Sequence, residues 1–116
     1  MSKKRRDRDF LGDIDEAINR TSLYTKGLTY LAFLEDRKVQ DAVVRNLEVI
    51  GEASKNIAAT FKTKYPDVPW KKVAGLRDKL IHFYFGIDYK IVWNIVKKEL
   101  PNLRKQVKEI LKQEAD

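Results

Sequence analysis

Residues 36–55 read DRKVQDAVVRNLEVIGEASK, and through them Val43, Leu47, Ile50 and Ala53, with Ile57 just beyond, step by four and three. That spacing draws one apolar stripe along an α-helix and predicts a long helix with a single face turned to a core. Gly51 sits inside the stripe. A mid-helix glycine costs about 1 kcal/mol relative to alanine, so its expected use is the close approach of a neighbouring helix.

Upstream, Phe10, Ile14, Ala17, Ile18 and Thr21 recur at the same spacing and predict a first helix from Asp7 to about Tyr24, ended by Lys26 and Gly27. Downstream, a short helical piece covers Ala58 to Lys64. Asp67 as cap and Pro69 in the first turn then open a fourth helix. Val73, Leu76, Leu80 and Ile81 form its apolar face, and it should stop near Phe85 because Gly86 can adopt the left-handed closing conformation. Asp88 restarts the chain. Ile91, Val92, Ile95 and Val96 mark another helix, broken at Leu100-Pro101, and Leu103, Val107, Ile110 and Leu111 mark the last. The fold class this implies is all-α, an antiparallel bundle of four or five helices. Tyr24, Tyr30, Phe33, Phe61, Trp70, Phe83, Phe85 and Trp93 read as core or interface packing.

The 116 residues leave room for one domain, and five glycines and three prolines are too few for the turns of a sandwich or barrel. Residues 1–8 read as a basic, flexible tail and 9–116 as the single domain. No cysteine is present, which removes disulfides, thiolate nucleophiles and thiolate metal sites, and a reducing cytoplasm is the expected location. The apolar runs are too short to span a bilayer, and no export signal or membrane partner is expected. The net charge of +7 favours polyanionic partners such as nucleic acid, although Lys3, Lys4, Arg5, Arg6 and Arg8 crowd much of it into the tail.

His82 is the only histidine and so the only side chain whose unperturbed pKa, about 6.5, suits proton transfer near neutral pH. A lone histidine in a helical protein is more often a partly buried side chain bonded to a carbonyl. Its neighbours enlarge the case. Asp78 lies one turn earlier on the same face, able to accept from an imidazole nitrogen. Arg77 lies about 140° round an ideal helix from His82 but nearly on the face of Tyr84. A shared site for Arg77 and His82 therefore needs long side chains, an opened last turn or a second copy of the helix, which a homodimer would supply. The chemistry such a basic cleft suits is RNA cleavage without metal. Glu48 and Glu52 form an i,i+4 pair with no histidine near them in sequence, and read as surface or structural carboxylates. Neither a metal nor a cofactor is called for.

Arg77-Asp78-Lys79-Leu80-Ile81-His82-Phe83-Tyr84 resembles the Arg-polar-x3-His-x-Tyr signature of the HEPN superfamily, in the branch of the HepT-type ribonuclease toxins. Asp41 to Ala53 looks like that branch's long second helix. Pro69-Trp70 with Gly75-Leu76-Arg77 looks like its approach to the active helix, and Ile91-Val92-Trp93 and Leu100-Pro101 fall where its later helices would. The resemblance runs from about Phe10 to Leu111. It implies a homodimeric, metal-independent endoribonuclease, the toxin half of a toxin–antitoxin pair, with RNA as substrate. Arg77 and His82 would be the catalytic pair and Asp78 their support. Tyr84, otherwise a core aromatic with its hydroxyl at the surface, would be the residue to which a minimal nucleotidyltransferase antitoxin attaches AMP. A catalytically inert partner-binding module of the same superfamily, or a nonenzymatic nucleic-acid binder, is the alternative.

Overall fold

The computed structural model describes residues 4–81 and 86–115, with Arg77 and Ile81 described by backbone alone. Helix α1, Asp7–Thr25, opens with Asp7 and Asp9 in its first turn, where carboxylates oppose the positive end of the helix dipole. The Asp9 carboxylate accepts the Arg6 backbone N–H at 2.8 Å, and this bond holds Asp9 below the usual carboxylate range. Asp7 and Arg8 thus lie in the first turn of α1, while Arg5 pairs with Asp13 at 2.9 Å. The helix closes at Lys26, and Gly27 follows with φ +77°.

A short helix absent from the sequence reading, α2 (Tyr30–Glu35), is capped by the Thr29 hydroxyl. It is followed by α3, Arg37–Asn56, capped by Asp36. The expected stripe is the buried one: Val43, Leu47 and Ile50 are fully enclosed, with Ala53 and Ile57 beside them. Each such aliphatic side chain contributes about 1.5–3 kcal/mol on burial. Gly51 is buried in the same face. Helix α4, Ala59–Thr63, is tied to the start of α1 by the Ala58 N–H, which donates to Asp7 at 2.9 Å. The contact sets α1 and α3 antiparallel.

The expected fourth helix is two pieces, α5 (Trp70–Ala74) and α6 (Leu76–Ile81). They part at Gly75, where φ −79° and ψ −3° take the chain off the helical path. Its predicted end near Phe85 lies outside the described residues. The predicted cap is also displaced: Pro69, not Asp67, holds the capping position, and no side chain caps the helix. The Asp67 carbonyl instead accepts from the Gln106 amide at 3.0 Å.

Asp88 does cap α7, Tyr89–Asn94, accepting from Lys90 and Ile91. The break expected at Leu100-Pro101 does not occur. A π-helical turn, Ile95–Glu99, joins α7 to α8, Leu100–Gln113, and the Leu100 N–H reaches back five residues to the Ile95 carbonyl. The wider turn accommodates a proline that lacks an N–H and whose ring would crowd the preceding turn of an α-helix. Leu100, Leu103, Val107 and Ile110 face the core along α8, and Arg104 bonds Asp15 of α1 at 3.3 Å. The all-α bundle packs α1 between α3 and α8. Phe33 is enclosed with its ring 5.0 Å from that of Trp93, as the packing role predicted, and Tyr24 is 42% exposed, outside the core but open to the interface half of that expectation.

Candidate active site

The candidate segment is held at its front by α5 and α6. The Trp70 indole donates to the Tyr65 carbonyl at 2.9 Å, and the Lys79 N–H restarts the helical ladder on the Gly75 carbonyl at 2.9 Å. Leu76 and Leu80, four apart, are buried and seat α6 on α3. Burying that face turns Asp78 and Lys79 outward, and both are exposed.

Arg77 and Asp78 therefore occupy successive positions on a helix anchored by its two leucines. The side chain of Arg77, and His82 and Tyr84 entirely, lie outside the described residues. At the end of this segment Gly86 has φ +107°, the positive value its sequence position predicted.

Asp78 has a partner that the sequence reading missed: Lys55 of α3, whose Nζ stands 3.5 Å from its carboxylate. Nothing in the local sequence signals it, because the pair forms only when α6 lies across the end of α3. Its effect is to bring a second cation to the Arg77 end of α6. Glu48 of α3 pairs with Arg45 at 3.8 Å. With Glu52, Asp13 and Phe10 these residues line a separate open cavity of about 380 Å³. Among the described residues no group of three or more His, Asp or Glu side chains could hold a metal ion, and no helix is long and apolar enough to cross a membrane.

The chain is a helical bundle in which the short helix α6, carrying positions 77 and 78, is seated on α3, the longest helix among the described residues. Residues 14–110 match the family described as "Ribonuclease HepT-like", and the chain belongs to that family. It is thereby placed among the endoribonucleases. Similar proteins include "Putative RNase MJ0127" of Methanocaldococcus jannaschii, 53% identical over 90% of this chain and 87% of its own length. Another is "Probable ribonuclease HepT" of Thermococcus cleftensis, 46% identical over 94% of this chain and 99% of its own. No solved structure matches the chain.

Proposed function

We propose that the chain is a single-domain, cytoplasmic, metal-independent endoribonuclease toxin acting as a homodimer, with Arg77 and His82 as its catalytic pair. The observation that carries this reading is the intact Arg-Asp-x3-His-x-Tyr spacing from Arg77 to Tyr84 in a member of the HepT-like ribonuclease family. Neutral His82 takes the proton of a ribose 2′-hydroxyl. The oxygen so freed attacks the adjacent phosphorus, the bond to the 5′-oxygen breaks, and the leaving oxygen is protonated by an imidazolium. The products are a 2′,3′-cyclic phosphate and a 5′-hydroxyl. Arg77 binds the charge that builds on the phosphoryl oxygens.

Asp78 supports the pair from α6, with Lys55 beside it. Because Arg77 and His82 diverge on one ideal helix, a twofold axis that brings two copies of the segment together completes the cleft. Tyr84, two residues from His82, is the modification site. AMP attached there by a nucleotidyltransferase antitoxin places a bulky anion against Arg77 and competes with RNA phosphate.

The test is cleavage of a mixed cellular RNA pool by purified protein in excess chelator, comparing wild type with Arg77→Ala and His82→Ala. Cutting that survives the chelator and is lost in both variants is the expected result. Cutting unchanged in either variant would overturn the assignment, and mass spectrometry of Tyr84 establishes that the protein assayed is unmodified.

A further inference from the structure

Between the C-terminal half of α1 and the start of α8 runs a second groove, of about 570 Å³. Among the described residues it is lined by five cations, Lys26, Lys97, Arg104, Lys105 and Lys108, and by no carboxylate. Four of them fall on one stripe of the π-helical turn and α8, at 97, 104, 105 and 108, the positions that recur on one helical face. The fifth, Lys26, reaches the groove from the turn closing α1. The cavity beside α3 has the opposite character, with Asp13, Glu48 and Glu52 around one arginine.

The cations differ in what they are free to do. Arg104 is bonded to Asp15 at 3.3 Å, and the Lys97 ammonium stands 4.8 Å from the centre of the Trp93 ring. Among the described residues, Lys26, Lys105 and Lys108 have no carboxylate partner. Three unpaired ammonium groups along one groove repel one another and gain by binding a polyanion.

The groove wall formed by α1 offers little for reading bases. Thr21 and Thr25 are buried, and their hydroxyls donate to the Ala17 and Thr21 carbonyls at 2.8 Å each. Apart from the exposed Ser22, the remaining side chains of the wall, Ile18, Val96, Leu100 and Pro101, are apolar. Charge with few directed acceptors and donors beside it grips a backbone and tolerates any sequence. Leu100 also lines the crevice in which α5 and the start of α6 pack on α8. The groove and the candidate active helix thus flank the same stretch of chain.

We infer that this groove binds the sugar–phosphate backbone of single-stranded RNA, holding the substrate on either side of the scissile bond; the inference rests on the ribonuclease reading above. The test uses full-length protein in chelator and a fluorescent 20-nucleotide 2′-O-methyl oligouridylate, which lacks the attacking hydroxyl and cannot be cut. Anisotropy titrations over a range of salt compare wild type with the double variant Lys105→Gln/Lys108→Gln. A second double variant, Lys71→Gln/Lys90→Gln, removes equal charge outside the groove.

The groove variant should bind about tenfold more weakly at moderate salt. The slope of log affinity against log salt should become shallower by about 1.4, two contacts at about 0.7 each for single strands. The control should keep the wild-type slope. Equal losses in both variants would reduce the effect to net charge and overturn the groove. So would polyglutamate of matched charge displacing the oligomer as well as RNA does, which marks a surface for an acidic protein. Cleavage of the cellular RNA pool is read in parallel. Wild type that cuts while the groove variant binds normally refutes the groove alone, whereas groove-dependent binding without cutting refutes the active-site reading alone.

Discussion

The carboxylate of Asp78 on α6 faces the ammonium of Lys55 on α3 across 3.5 Å, with side chains 64% and 39% exposed respectively. Water screens such a pair, which contributes about 0.2–1 kcal/mol. Lys55→Ala and Asp78→Asn are therefore each expected to lower unfolding free energy by less than about 1 kcal/mol in urea titration. On the proposed supporting role, Asp78→Asn should nevertheless slow single-turnover RNA cleavage by about tenfold or more. Cleavage at the wild-type rate would remove Asp78 from the site.

Gln40 is 6% exposed, and its amide nitrogen donates to the carbonyls of Phe33 and Leu34 at 2.9 Å each. It thereby clasps the end of α2 to α3. Gln40→Leu keeps the volume near constant but strips the Leu34 carbonyl of its donor and leaves the Phe33 carbonyl only the Asp36 N–H at 3.3 Å, at an expected cost of about 1–3 kcal/mol. A chemical-denaturation midpoint equal to wild type would show that the carbonyls find other partners.

Two glycines should respond in opposite directions. Gly12 lies within α1, and a Cβ built there meets nothing within 4 Å. Gly12→Ala should stabilise the fold by about 0.5–1 kcal/mol through the unfolded chain's lost freedom, raising Tm by about 3 °C. Gly86 has φ +107°, and Gly86→Ala should cost about 1 kcal/mol or more. Calorimetry of both variants reads the two signs side by side.

Glu114, at the end of α8, accepts a short hydrogen bond from the Tyr65 hydroxyl and pairs with Lys64 at 3.0 Å. The tyrosine bond, then the Lys64 contacts and the charge of Arg8, hold the Glu114 carboxyl below its ordinary range. A depressed folded-state value means stability that is present above the unfolded value and lost as pH falls through the folded one. The Tyr65 hydroxyl is raised, chiefly by the same hydrogen bond, so its contribution is present below the ordinary phenol value and lost as pH rises above it. Glu114→Gln should flatten both the acid and the alkaline limbs of a Tm-against-pH profile. Limbs as steep as wild type would mean that other groups set them.

Much of the bundle was legible in the sequence. The stripe from Val43 to Ile57, the restart of the chain at Asp88 and the turn at Gly27 depend on 3.6-residue periodicity and on hydrogen bonds within a few residues. Such features are carried by the local chain wherever it folds. The Arg-Asp-x3-His-x-Tyr spacing was legible for the same reason, as positions along one segment. Where reading failed, the backbone took a local alternative that the residue pattern does not distinguish. Pro101 ends no helix because a π-helical turn just before it accommodates its ring. Asp67 caps no helix because the chain turns so that Pro69 takes that place.

The sequence by itself thus determined where most of the helices run, which faces are apolar, and the spacing of the candidate residues from Arg77 to Tyr84. Only the tertiary structure decided that Lys55 meets Asp78, and that Lys26 from the end of α1 joins Lys105 and Lys108 of α8 in one basic groove. Those relationships depend on how helices far apart in the chain cross, and the crossings are fixed by the packing of buried side chains against one another, which no local pattern encodes.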